Sequence, residues 1–267
     1  MSDDIHEVFA VRYAHHGGRN ASMNFIGGDP HRASQDLDFY VWAIVGKQGT
    51  IVVDTGFDEA MAKQRERTIL KPVAEALKSI GVQPDQVTNV IISHLHYDHC
   101  GNYDVFPKAR YHLQDCEMDY ATGRCMCDQK FKLPFEADDV TAMVRKVFAG
   151  RVTFHDGDGE VVPGVSVHHI GGHSKGLQAV RVKTRRGDVV LASDSTHLYA
   201  HLDERKVFPI TYNADDAVRG YGKLEKLASS RSHIVPGHDP KVLERYAPPS
   251  DALKGWAVRL DAEPIKG

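Results

Sequence analysis

The sequence predicts an α/β fold in which sheets pack on each other with helices outside. Three observations predict it. β-branched runs alternate with amphipathic segments in both halves of the 267 residues. Turn signals close several neighbouring runs into hairpins. No repeat, low-complexity tract or linker interrupts the chain, so residues 1–267 read as a single domain.

The elements follow in order. Residues 1–38 read as an N-terminal loop or strand segment. Apolar stretches at 39–45 and 50–53, split by Gly46-Lys47-Gln48-Gly49, form a hairpin. Within 58–80, Met61, Ile69, Val73, Ala76, Leu77 and Ile80 recur at helical spacing. Pro72 kinks or divides that helix, and Gly81 ends it. Strands at 88–93 and 109–113 come next. Residues 115–150 read as an insertion beside the site. Its first part, 115–137 with Tyr120, Met126, Phe131 and Phe135, is a candidate apolar flap facing a substrate, with plain helix packing as the alternative. A helix over 138–149 opens at Asp138-Asp139. Five strands follow, at 152–155, 161–162, 165–170, 177–183 and 188–192. The turns Asp156-Gly157-Asp158-Gly159 and Arg185-Arg186-Gly187-Asp188 join several of them. A helix near 214–229, a strand at 232–235 and a short helix near 240–246 complete the chain.

Composition removes several classes of function. Hydrophobic residues are 42% and charged residues 26%, which is ordinary for a globular protein. A net charge of -3 gives no basic footprint for nucleic acid. No run approaches the roughly 18 apolar residues that a bilayer span needs. The start, Met1-Ser2-Asp3-Asp4, is acidic and unlike a secretory signal. The expectation is a cytoplasmic enzyme acting on a small molecule, with no membrane or nucleic-acid partner. Cys100, Cys116, Cys125 and Cys127 lack the paired spacing of a structural zinc site and read as free thiols. Sixteen histidines set the composition apart.

Three of those histidines fall in Ser93-His94-Leu95-His96-Tyr97-Asp98-His99, directly after the apolar Val90-Ile91-Ile92. His94, His96, Asp98 and His99 supply the imidazole nitrogen and carboxylate oxygen that Zn²⁺ and related ions prefer. A buried strand that gives way to Cys100-Gly101-Asn102 suggests ligands on a tight, scaffold-held loop. Three later strands end the same way. Residues 165–170 run into Gly171-Gly172-His173-Ser174, 188–193 into Asp194, and 232–236 into Gly237-His238-Asp239. Glycine permits close backbone approach at two of the three. His155, His168, His169 and His233 sit within strands and read as packing or surface residues. His15, His16 and His31 lie in the polar segment 15–31 and read as loop residues, with pocket lining as the alternative.

Taken together, these motifs resemble the metallo-β-lactamase superfamily, and Val52-Val53-Asp54-Thr55-Gly56 is similar to an upstream element of it. The match runs from about residue 40 to 240, and all seven ligand positions are filled in order. The resemblance implies an αββα sandwich with metals at one edge, between the sheets. It implies two divalent ions, zinc first, with cobalt, manganese or iron as alternatives. His94, His96 and His173 would hold one ion, Asp98, His99 and His238 the other, and Asp194 would bridge them. A hydroxide held between the ions would be the nucleophile. Asp54 would orient a ligand imidazole by accepting its free N–H.

Branches of the superfamily differ in ways that can be read here. His96 stands where di-iron flavoproteins carry Glu, and Asp194 stands where true β-lactamases carry Cys or Ser. Only 29 residues follow His238, too few for the helical substrate domain of the glyoxalase II branch. The inserted domain of the RNA-processing members is missing. What remains is similar to the N-acyl homoserine lactonase-like branch, in the loop from His94 to Asn102, in Gly171-Gly172-His173-Ser174 and in Pro236-Gly237-His238-Asp239. That likeness implies a quorum-quenching lactonase opening an N-acyl homoserine lactone or related small lactone. It also implies Asp98 as proton carrier, and a homodimer. Many members carry Tyr three residues after the bridging Asp. This chain has His197 there and Tyr199 two residues on, both candidate donors to a developing oxyanion. Two alternatives stay open: hydrolysis of another ester, thioester or cyclic amide, or metal binding without hydrolysis.

Overall fold

The protein is described here by a computed structural model covering residues 4–265. Met1-Ser2-Asp3, part of the acidic start, lie outside the described residues. The first sheet runs β13 (Ala257–Arg259), β1 (Glu7–His16), β2 (Leu37–Gly46), β3 (Gly49–Val53), β5 (Asn89–Ile91), β6 (Arg110–Gln114) and β7 (Val152–His155), with β4 (Thr68–Ile69) paired to the end of β1. The second runs β12 (Ile234–Pro236), β11 (Gly187–Ser193), β10 (Gln178–Thr184), β9 (Val165–His169) and β8 (Gly159–Val162). Both are mixed. The pairs from β3 to β7 are parallel, as is β11 with β12, and the others are antiparallel.

Side-chain alternation along β2 shows how the layers are built. Tyr40, Trp42 and Ile44 enter the core between the sheets, with Val167, Val180, Val182 and Leu191 opposite. Phe39, Val41 and Ala43 face the other way, into a core shared with Val73, Ala76 and Leu77 of the helix Val73–Ser79 and with Val140 and Met143 of the helix Ala137–Phe148. The outer face of the second sheet packs Ile170, Val190 and Ala192 against Tyr221 and Leu224 of the helix Ala214–Leu227. Three apolar interfaces therefore separate four layers, helix, sheet, sheet, helix, which is the expected αββα order. Trp42 is fully buried in the central interface, and cutting it back to Ala would cost about 3–5 kcal/mol.

Local chemistry explains the helix ends. Asn213 accepts from the backbone N–H groups of Asp215 and Asp216, capping Ala214–Leu227. Asp138 and Asp139 open Ala137–Phe148 and Arg145 and Lys146 close it, complementing the helix dipole.

Three expectations are refined. Glu7–His16 is a ten-residue strand between β2 and β13, and its two buried faces hide the alternation that marks a strand. Pro72 divides the 58–80 segment. One helix spans Glu59–Gln64, β4 follows, and Pro72 immediately precedes Val73–Ser79, where its missing N–H costs nothing. Residues 115–150 form the helices Asp115–Thr122, Gln129–Lys132 and Ala137–Phe148. Among the described residues, no helix is long and apolar enough to cross a membrane.

Candidate metal centre

The strands β5, β9, β11 and β12 each run into a ligand loop, and the four loops meet at one edge of the sandwich. Asp194 sits at the middle. Its Oδ1 lies 2.9 Å from His238 Nε2 and 3.4 Å from His99 Nε2. Its Oδ2 lies 3.2 Å from His173 Nε2, 3.9 Å from His94 Nε2 and 2.8 Å from His197 Nε2. Asp98 Oδ2 completes one side, 3.6 Å from His99 Nε2 and 3.7 Å from His238 Nε2. His96 completes the other, its Nδ1 3.0 Å from His94 Nε2. Ligand-capable atoms thus form overlapping groups: His94, His96 and His173 on one side, Asp98, His99 and His238 on the other, and Asp194 grouped both with His94 and His99 and with His173 and His197.

The backbone is bent to make this possible. Asp54 and Ser193 adopt φ of 61° and 44°, a region costly for residues with a side chain and concentrated at functional sites. Gly172 has φ 88°, and a Cβ there would stand 2.5 Å from Ala217 Cα. A Cβ on Gly237 would stand 2.7 Å from Asp194 Oδ1, so only glycine lets that loop approach the carboxylate.

Hydrogen bonds behind the ligands fix which nitrogen faces inward. His99 donates from Nδ1 to Asp54 Oδ2 at 2.7 Å, as expected for Asp54. His173 Nδ1 donates to the Ile210 carbonyl at 2.5 Å, and His238 Nδ1 to the Asp38 carbonyl at 3.0 Å. Each leaves its Nε2 lone pair for the centre. Ser93 donates its backbone N–H and hydroxyl to Asp54 at 2.7 and 2.9 Å, and its oxygen lies 3.0 Å from His94 Nδ1.

Glu117 is the supporting residue that the sequence did not reveal. It is wholly buried and accepts from the N–H of Leu95 at 2.9 Å, from the Ser174 hydroxyl and from the N–H of Gly176 at 2.8 Å. One carboxylate therefore ties the His94–His96 loop to the His173 loop. Burial pushes its carboxyl above the ordinary range, against the pull of those three donors. Glu117 sits in the first turn of a short helix, where an acidic residue ordinarily serves the dipole and faces water, so no local signal marks it. Asp239 does similar work after His238, accepting from the N–H of Tyr199 at 2.8 Å and of Lys241 at 2.9 Å.

The electrostatics suit cations. Burial, then the neighbouring imidazoles, hold His94 and His96 well below the usual histidine range, in the neutral form that ligates. For His99 and His238 burial acts downward, but Asp194 and Asp98 outweigh it and raise both. Burial would raise Asp194, yet His238, His197 and His99 hold it anionic. Three buried atoms here, His99 Nε2, His173 Nε2 and Asp194 Oδ1, have no hydrogen-bond partner among the described residues. Lone pairs left bare inside an anionic pocket are what a divalent ion would satisfy.

The two remaining candidates separate. His197 joins the centre, its Nε2 on Asp194 Oδ2 and its ring stacked on Phe208 at 3.6 Å. Tyr199 does not. It begins the helix Tyr199–Glu204 and turns into the core between the sheets, under the Arg245 guanidinium at 3.7 Å from the ring centroid. The geometry thus gives Tyr199 a packing position rather than the oxyanion-donor position expected of it.

The centre opens into a cleft of about 190 Å³. Tyr120 and Phe131 line an adjoining arm with His96, His173 and Tyr212, while Met126 and Phe135 face a separate cavity beside Ala137–Phe148. The flap reading therefore fits two of its four aromatic and apolar residues. His16 also lines the cleft, at the end of β1 rather than in a loop. All four cysteines are free, with Cys100 buried.

A sandwich of this layer order, with a histidine and aspartate centre closing its edge, is a framework able to hold metal ions. Residues 39–244 match the model of the metallo-beta-lactamase superfamily, and the chain belongs to that family. Among curated proteins it is 26% identical to an N-acyl homoserine lactonase of Bacillus thuringiensis over 220 residues, covering 76% of this chain and 82% of that protein. It is 29% identical to the N-acyl homoserine lactonase AttM of Azorhizobium caulinodans over 167 residues, 61% of this chain and 62% of that one. Among solved structures, a quorum-quenching N-acyl homoserine lactone lactonase superposes with TM-score 0.74 at 23% identity, covering 90% and 94% of the two chains. The hydrolase AbOPH of the beta lactamase superfamily gives 0.73 at 18% identity, covering 100% and 96%. These structures share the fold.

Proposed function

We propose that this chain is a binuclear metal-dependent hydrolase that opens the ring of a small lactone. The observation that carries the reading is the division of Asp194, one oxygen toward His99 and His238 and the other toward His94 and His173. His94, His96 and His173 would hold one ion, and Asp98, His99 and His238 the other. Divalent ions at such a centre lower the pKa of water and polarise a carbonyl. The curated relatives, named as N-acyl homoserine lactonases, supply the substrate class.

The protein's own groups then have distinct tasks. Asp98 lines the cleft and is the least buried of the seven ligands, so it can take a proton from the attacking water and return it to the leaving oxygen. His197 fixes Asp194. A neutral imidazole has one N–H, and here it points at Asp194 Oδ2, which leaves Nδ1 as an acceptor rather than an oxyanion donor. Phe208 keeps that ring in place from its other face.

The test is a panel of lactones, thioesters and β-lactams offered to zinc-, cobalt- and manganese-loaded protein. Turnover of a lactone above the metal-free control supports the proposal. No lactone turnover with any metal would sink it, and selective thioester turnover would favour the neighbouring hydrolase reading.

A further inference from the structure

One wall of the cleft carries charge that the chemistry at the centre does not use. Arg19 and Arg67 line it together with His16, in the same cleft as His96, Asp98 and Asp194. Arg19 donates to Asn24 Oδ1 and the Met23 carbonyl, both at 2.7 Å, and Arg67 to the Tyr97 hydroxyl at 3.1 Å and the Arg65 carbonyl. Every one of these acceptors is neutral. The nearby acids are already engaged. Glu136 pairs with Arg65, and Asp36 is met by His15 Nε2 at 3.5 Å and the Arg19 backbone N–H at 3.4 Å.

His16 sharpens the imbalance. Its Nδ1 lies 2.9 Å from Arg19 Nη1, and its Nε2 lies 3.3 Å from Arg67 Nη1. A neutral imidazole accepts at one nitrogen only, so one guanidinium N–H must face another N–H. Burial, then Arg67 and Arg19, push His16 down to about 4, so protonation does not resolve the conflict in its favour. Nη2 of Arg67 has no hydrogen-bond partner among the described residues. Two half-buried guanidinium groups with no carboxylate in hydrogen-bond contact with their side chains, converging on one imidazole, leave donors open to an added acceptor from the cleft. The opposite arm, with Tyr120, Phe131 and Tyr212, is largely apolar and carries a single cation, Lys130, in place of a guanidinium pair.

We infer that Arg19 and Arg67 form a subsite for a carboxylate on the substrate, so that the preferred lactone is a small one bearing a carboxylate substituent. The inference rests on reading the centre as that of a lactonase. A planar carboxylate suits paired guanidinium forks.

The experiment compares γ-butyrolactone with its carboxylate-substituted form on the metal-loaded protein. Wild type should favour the carboxylated ring in kcat/KM by about ten- to a hundredfold, the worth of one or two charge-assisted hydrogen bonds. That ratio should shrink as ionic strength rises. Arg67→Gln and Arg19→Gln should each bring the ratio toward one, and Arg67→Lys should keep part of it. Calorimetry of glutarate and of inorganic phosphate on metal-free protein gives a readout independent of turnover. Glutarate binding that is lost in Arg67→Gln supports the subsite. Turnover of both lactones at equal efficiency, or no glutarate binding, would overturn it while leaving the lactonase reading intact. Tighter binding of phosphate than of glutarate would overturn the carboxylate assignment. Glutarate binding without turnover of either lactone would instead defeat the lactonase reading and keep the subsite.

Discussion

Glu117→Ala tests how the ligand loops are held. The substitution removes the carboxylate joining Leu95, Ser174 and Gly176 and leaves two buried backbone N–H groups without that acceptor. Each orphaned donor costs about 1–3 kcal/mol. Relief from burying a charge works the other way, as the raised carboxyl pKa shows. The net loss comes to about 3 kcal/mol, which in a chain of this length lowers Tm by about 6–12 °C. Glu117→Gln keeps the shape, and with its carbonyl toward Ser174 and Gly176 it loses only the Leu95 bond, about 1–3 kcal/mol. Freed ligand loops should also weaken metal affinity about 10–100-fold. Thermal and urea melts of metal-free protein measure the first effect, and competition with a chromophoric chelator measures the second. An unchanged Tm and affinity in Glu117→Ala would refute the reasoning, and a lower Tm with unchanged affinity would confine Glu117 to folding.

The remaining predictions concern the centre and one distant carboxyl. Asp98→Asn should lower kcat by about 10²–10⁴-fold with far-ultraviolet circular dichroism unchanged, and near-normal rates would remove Asp98 from proton transfer. Elemental analysis should find two divalent ions per chain, falling in Asp194→Ala; one ion in the wild type would defeat the binuclear reading. Asp139 is pushed up to about 7 by burial, then by Glu136, Asp58 and Asp138. Because the folded state holds that proton longer than the unfolded one, the Asp139 contribution to stability is fully present below about pH 4 and is lost as pH rises to about 7. A shift of this size, discounted for partial exposure, amounts to about 1–2 kcal/mol. Asp139→Asn should therefore melt higher than wild type at pH 8 and alike at pH 4, and a constant difference at both would contradict the assignment.

The candidate ligands were legible because metal chemistry restricts residue type and because each stands where an apolar run stops. His94, His96, Asp98 and His99 need no tertiary knowledge to be read as donors, and His173, Asp194 and His238 repeat the strand-then-ligand pattern. The sandwich followed from the same runs. What escaped was anything set by contacts between distant segments. Tyr199 is five residues after Asp194, close enough to suggest the site, but a helix begins there and swings it toward Arg245. Glu117, Arg19 and Arg67 look like ordinary surface charges in sequence, and only packing shows that the first is enclosed and the others face the cleft. Glu7–His16 escaped for the opposite reason, since a strand covered on both faces loses its alternation.

His94, His96, Asp98 and His99 extend from the first sheet, whereas His173, Asp194 and His238 extend from the second. A bound ion would therefore be a clasp across the seam between sheets, with the cleft as its way in and out. Ions at a hundred times their dissociation constant would add about 2.7 kcal/mol to the closed form. Stripping the ions with a chelator should then take that increment away from the whole sandwich, read as a lower melting temperature.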